Sequence, residues 1–148
     1  MNYPNVSSYD EKGFAPPLEA GHYLIKLSEV RDTDKDSQFY IDKNGIRFCM
    51  FMFKVAGKPN TLIERFFFDE PDYEYYNQNM GKFKQLLMAC GVDPDKEGDT
   101  KDLIGKVFLA DVSSRLVKDK TYNNIKEYKE YKETDKSWPD TDDDDLPF

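Results

Sequence analysis

The sequence predicts a mainly-β domain: a small five-stranded barrel with one helix between its third and fourth strands. Three observations point there. Short apolar or alternating stretches bounded by turn residues recur five times between residues 21 and 132. One stretch, opening near Tyr73, switches to apolar spacings of three and four, the helical period. Tyr and Phe, 10 and 11 of 148 residues, supply the bulky side chains with which a small barrel fills its interior.

The elements follow in order. Residues 1–20 are rich in Pro, Ser, Asn and charge and are expected to form a flexible arm. Residues 21–30, GHYLIKLSEV, make the first strand, with Tyr23, Ile25 and Leu27 on one side and His22, Lys26 and Ser28 on the other. A polar connection holding Phe39 and Tyr40 ends at an Asn-Gly turn. Residues 46–57 are a second strand, apolar at nearly every position, and residues 61–68 a third. The helix places Tyr73, Tyr76, Met80, Phe83, Leu87 and Cys90 on one face. Asp69 or Glu70 with Pro71 would start it, and Gly91 with Pro94 would stop it. Residues 103–117 and 121–131 are the fourth and fifth strands, joined by a basic hairpin connection at 118–120. Strand, strand, strand, helix, strand, strand is the layout of the OB-fold, a Greek-key barrel plugged at one end by the helix. A ferredoxin-like layout would need a second helix. The core is expected from Ile25, Leu27, Phe51, Phe53, Val55, Phe83, Leu87 and Ile125. The domain therefore spans 21–132, followed by a disordered acidic tail at 133–148.

Charge is unevenly placed. The chain carries −8 in all. Residues 133–148 hold seven acids against Lys136, which makes −6, and the remainder, 20 bases and 22 acids, carries −2. Net charge thus says little about what the body binds. Cys49 and Cys90 lie in apolar stretches and are expected as buried free thiols. With a single histidine, His22, they cannot complete a structural zinc site. No apolar leader is visible, and the longest apolar run, 48–53, is too short to cross a bilayer, so a cytoplasmic protein is expected.

Catalysis finds no constellation. There is no GxxxxGK phosphate loop and no GxSxG, and the lone histidine sits in the first strand. DTDKD, residues 32–36, resembles the start of a calcium loop but lacks its sixth-position Gly and twelfth-position Glu. The densest carboxylates lie in the tail, where a flexible chain cannot fix a metal. Neither an enzyme nor a cofactor is expected.

A binding surface is better supported. Single strands of nucleic acid are held by aromatic faces that stack on bases and by cations that follow the phosphates. Both interleave here: Arg47 with Phe48 and Lys54 on the second strand, Arg65 before three phenylalanines on the third. Strict alternation puts Tyr122, Lys126 and Tyr128 on one face of the fifth strand. Phe39 and Tyr40, with Lys118 and Lys120, lie in the two loops that border an OB groove. These eleven residues are the candidate single-stranded-DNA contacts.

The last seven residues, Asp142, Asp143, Asp144, Asp145, Leu146, Pro147 and Phe148, strongly resemble the C-terminal tip of bacterial single-stranded-DNA-binding proteins. The resemblance implies a docking peptide for replication, recombination and repair proteins, with the Phe148 ring in an apolar pocket and the acidic tether aiding capture. The body resembles small phage-encoded members of that class through GHYLIKLSEV, LMACGVD running into DLIGKVFLADV, and TYNNIKEY, together covering roughly 21–131. That resemblance implies a protein that coats single-stranded DNA in the host cytoplasm without strong sequence preference, often as a homo-oligomer. Lopsided charge adds an expectation: a −6 tail can occupy a basic groove until DNA displaces it. Two other readings compete. An acidic inhibitor that mimics DNA would have no use for bases beside aromatics, and a metal-dependent nuclease would degrade DNA once magnesium was added.

Overall fold

β1 (Gly21–Arg31) serves two neighbours, and that double pairing organises the fold. Its first half pairs with β4 (Val107–Val117), from Gly21 opposite Val112 to Lys26 opposite Val107. Its second half pairs with β2 (Cys49–Val55), from Ile25 opposite Val55 to Arg31 opposite Met50. A strand shared this way must bend. The bend comes at Ser28, which has no partner between Leu27 opposite Phe53 and Glu29 opposite Met52. The freed Ser28 hydroxyl donates to the Met52 carbonyl at 3.0 Å.

The structure is a computed structural model and describes residues 1–7 and 15–132. All strands are antiparallel in the order β3-β2-β1-β4-β5, with β3 at Thr61–Phe66 and β5 at Lys120–Lys129. β3 and β5 come side by side, so the sheet curls into a nearly closed OB-fold barrel. One helix, α1 (Tyr76–Ala89), lies between β3 and β4, as the sequence predicts. A short 3-10 turn at Thr100–Leu103 leads into β4.

Alternation places one face of every strand inside. Phe51, Phe53, Leu62, Phe66, Phe108, Val112 and Ile125 are all buried there with Ile25 and Leu27, and Leu86 of α1 closes the end. The Phe51 ring meets Phe66 edge-on at 4.8 Å and Phe83 at 5.9 Å, which locks the helix to the barrel by ring geometry as well as by area. Phe83 and Leu87 are partly buried against this core.

Several boundaries differ from those expected: β2 ends at Val55, β4 begins at Val107 after the 3-10 turn and not at 103, and β5 spans Lys120–Lys129. Residues 46–48 belong to the β1–β2 connection, not to a strand, and residues 67–68 leave β3 for a turn. The helix begins at Tyr76, several residues after Pro71, because successive three-residue turns (Tyr73 N–H to Glu70 O, Tyr76 N–H to Tyr73 O) precede it. Pro71 disfavours the helical region for Glu70. Its end matches expectation: Gly91 takes φ +74, Val92 N–H donates to Leu87 O, and Gly91 N–H donates to Met88 O, a Schellman closure. The β4–β5 connection is shorter than the expected three residues. Lys118 and Asp119 alone form it, both at positive φ (47° and 67°), and Lys120 already pairs with Val117.

The arm also departs from expectation in its last residues. Asn123 of β5 accepts from the Leu18 N–H and donates to the Leu18 carbonyl, both at 2.9 Å. Asn60, just before β3, donates to the Pro16 carbonyl at 2.7 Å. The side-chain amide of Asn123 acts here as a strand partner would, and Leu18 reaches the core at 5% exposure. The expected acidic tail at 133–148 and its docking tip lie outside the described residues.

Candidate nucleic-acid interface

The β1–β2 connection, residues 32–48, folds as a finger made of two copies of one loop. In the first, Asp34 N–H donates to Gln38 O and Ser37 N–H to Asp34 O, while Asp34 Oδ1 accepts from the Asp36 and Gln38 amides at 2.8 and 3.0 Å. In the second, Asp42 N–H donates to Ile46 O and Gly45 N–H to Asp42 O, and Asp42 Oδ1 accepts from the Asn44 and Ile46 amides at 2.8 and 2.9 Å. The fourth residue of each has positive φ, Ser37 at 62° and Gly45 at 79°. Bridges at Thr33–Phe39 and Ile41–Arg47 complete a small meander. The central carboxylate of the stretch that resembled a calcium loop, Asp34, is thus committed to its own backbone.

Arg47 fastens the finger to the turn after β3. Its guanidinium lies 3.6 Å from the centre of the Phe39 ring and 3.5 Å from an Asp69 carboxylate oxygen, and the Arg47 backbone N–H donates to Glu70 Oε1 at 3.2 Å. Beneath it, Phe48 packs almost parallel to Tyr40, with centroids 5.5 Å apart, and edge-on to Phe67 at 6.1 Å. Phe67 meets Tyr73 at 4.8 Å and Tyr73 meets Tyr75 at 5.5 Å. An aromatic chain therefore runs from the finger across the top of β2 and β3 to the start of the helix.

Between finger and pre-helix turn lies an open groove of about 600 Å³. Ile41 and the Asp42–Asn44 turn form one wall, Tyr73 the other, Phe48 and Phe67 the floor, and Arg65 enters from β3. Arg65 is exposed and opposes Met50 across the strand pair. On the same outer face, Ile63 stands opposite Met52 and Thr61 opposite Lys54, an apolar strip with a cation at each end. A second cleft of about 260 Å³ behind Arg47 is lined by Asp32 and Asp69 as well as by Phe48 and Cys49. Its carboxylates suit it poorly to a phosphate.

The residues singled out from the sequence separate into groups. Phe39, Tyr40, Arg47, Phe48 and Arg65 meet at the finger, and Lys54 shares their outer face. Phe48 is only 7% exposed, so it supports its neighbours and offers no face to a base. Lys118, Lys120, Tyr122 and Lys126 are all outside the groove, on the β4–β5 hairpin, where half-exposed Tyr122 stands opposite Arg115. Tyr128 is not among them. Pairing jumps from Glu127 opposite Asp111 to Ile125 opposite Val112, so Lys126 is an extra residue, the alternation reverses, and Tyr128 turns into the core at 3% exposure. Tyr73, Phe67 and Ile41 were not singled out. The available signal was the crowding of rings around Pro71 in FFFDEPDYEYY, which a helical period absorbed too readily.

Titrating groups lie mainly elsewhere. Burial pushes the Cys49 and Cys90 thiols up to about 11, as befits unreactive side chains. Burial also raises Glu64 above the usual range, only partly offset by its ion pair with Lys82 of α1. Among the described residues no group of three or more His, Cys, Asp or Glu could hold a metal, and no helix is long and apolar enough to cross a membrane.

Fold and groove define a class: a five-stranded OB barrel with an aromatic and cationic groove on its β2–β3 side. Residues 4–139 match a family model, and the chain belongs to that family, DUF669, whose description is a protein of unknown function. No curated protein matches the chain.

Proposed function

We propose that this protein binds single-stranded DNA without strong sequence preference, through the groove between the finger and the pre-helix turn. The observation that carries the reading is Arg65. It is an exposed cation with no carboxylate partner among the described residues, set beside the partly exposed Tyr73 ring in an open groove floored by Phe48 and Phe67. An accessible ring beside an unpaired cation is what a single strand requires, and the β2–β3 face with its neighbouring loops is where OB barrels take oligonucleotides. The β4–β5 hairpin, with Lys118, Lys120 and Tyr122, would extend the path. The tip, Asp142–Phe148, would recruit replication, recombination or repair proteins, and the tail would compete with DNA for the groove.

The test is a mobility-shift titration of a labelled poly-thymidine oligonucleotide beside its duplex counterpart, at two salt concentrations, with full-length protein and with residues 133–148 deleted. Salt-sensitive binding to the single strand, tighter after tail deletion, is expected. Equal affinity with and without the tail would remove the competition but leave the groove.

A second reading keeps one specific observation. Carboxylates are dense on the two segments that flank the groove: Asp32, Asp34, Asp36 and Asp42 on the finger, and Asp69, Glu70, Asp72 and Glu74 on the pre-helix turn, with Asp42 in the groove lining itself. An inhibitor that imitates DNA would present such a rim. Absence of oligonucleotide binding at low salt, even without the tail, would favour it.

A further inference from the structure

Three arginines stand at or beside the finger, and two are committed. Arg31 makes a two-pronged pair with Glu29, at 2.6 and 2.9 Å. Arg47 is held by Phe39 and Asp69. Arg65 has no such partner among the described residues; its guanidinium carbon lies over the Phe48 ring, 4.4 Å from the centroid. Phe48 lies in turn against Tyr40, with planes 17° apart. Tyr40 and the Arg65 guanidinium therefore both lie against the Phe48 ring. Phe48 itself is closed to a ligand at 7% exposure, and the exposed Arg65 lines the groove with a planar cation.

We infer that Arg65 is a stacking platform: an unstacked nucleobase lies on its guanidinium, which rests on the Phe48 ring. The inference rests on reading the groove as a single-strand site and says what kind of contact Arg65 makes there. A phosphate would meet the guanidinium at its N–H edge and would need only charge, which lysine also supplies. A base needs the plane, which lysine lacks. The main chain that carries the platform is held before binding: the Arg65 carbonyl accepts from Asn79 Nδ2 and the nearby Phe67 N–H donates to Asn79 Oδ1, both at 2.9 Å.

Full-length wild type, Arg65→Lys and Arg65→Ala would be titrated with a poly-thymidine oligonucleotide and with an abasic oligonucleotide of equal length, across a salt series. Thermal melts check that both variants fold, as expected of an exposed site. The expected result is that Arg65→Lys loses about as much affinity for poly-thymidine as Arg65→Ala, about tenfold. Affinity for the abasic backbone and the slope of log K against log salt should stay near wild type in both. Retention of affinity by Arg65→Lys would overturn the inference. So would a salt slope lowered by about one in Arg65→Ala together with equal loss on the abasic strand, the signature of a phosphate contact. If wild type fails to bind poly-thymidine, the reading of the groove falls, and this inference with it.

Discussion

Asn79, in the first full turn of α1, holds Arg65 and Phe67 by their main chains: its Nδ2 donates to the Arg65 carbonyl and its Oδ1 accepts from the Phe67 amide, each at 2.9 Å. The helix that plugs the barrel thus also sets the end of β3, the point from which both groove residues project. Substituting Asn79 by Ala removes both bonds and leaves two main-chain groups to water or to nothing. A loss of about 1–3 kcal/mol in urea unfolding is expected, with amide shift changes centred on residues 65–67. Shifts confined to the helix would show that the link does not position the groove.

The paired loops of the finger make a second prediction. Asp34 and Asp42 each accept two amides through one oxygen, so Asp34→Ala and Asp42→Ala should raise amide exchange at 36 and 38, or at 44 and 46, by about tenfold. Asn keeps the accepting oxygen, and Asp34→Asn should exchange nearly as slowly as wild type. Fast exchange in the Asn variant would mean that charge, not the bonds, holds the turn.

Tyr128 offers a third. Its hydroxyl is buried with no hydrogen-bond partner among the described residues. Tyr128→Phe removes a desolvated group while keeping the ring, which contacts Phe53 and Phe108 at 5.8 and 5.7 Å. Stability should be unchanged or higher by about 1 kcal/mol, with single-strand affinity unaffected. A clear loss in the denaturant midpoint would reveal a partner for the hydroxyl.

Glu64 predicts a pH dependence. Its carboxyl holds its proton above the usual Glu range because burial outweighs the Lys82 ammonium. The folded state then binds that proton more tightly than the unfolded chain. Ionisation therefore subtracts stability as pH rises from the ordinary Glu value through the raised one. Glu64→Gln cannot ionise and escapes the loss, and Lys82, 27% exposed, can turn to water. The variant's stability relative to wild type should increase as pH rises above the ordinary Glu value of about 4, followed by urea midpoints. A difference that shrinks over that range would mean that the ion pair outweighs burial.

Much of this protein was legible in the sequence because period is a local property. Alternation over residues 21–30, the run FCMFMFKV and the helical spacing after Tyr73 each depend on neighbours a few positions away, and together they specify the strand order and the single helix. Gly91 likewise announced the helix end, since the left-handed conformation there suits few other residues. Arg65 and Phe39 could be singled out from residue type alone. What residue type could not say is which partner each would find. Phe48 and Arg65 are far apart in the chain, and only the folding of the finger onto β3 makes one the support of the other. One extra residue at Lys126 reversed every later side chain of β5 and sent Tyr128 inside, because a bulge leaves no mark on the alternation until its partner strand is in place. Tyr73 joined the groove for a similar reason: the turns after Pro71 delayed the helix and turned a residue at helical spacing into a wall. Local sequence determined the elements, and tertiary contacts between distant residues decided which side chains remained available to a ligand.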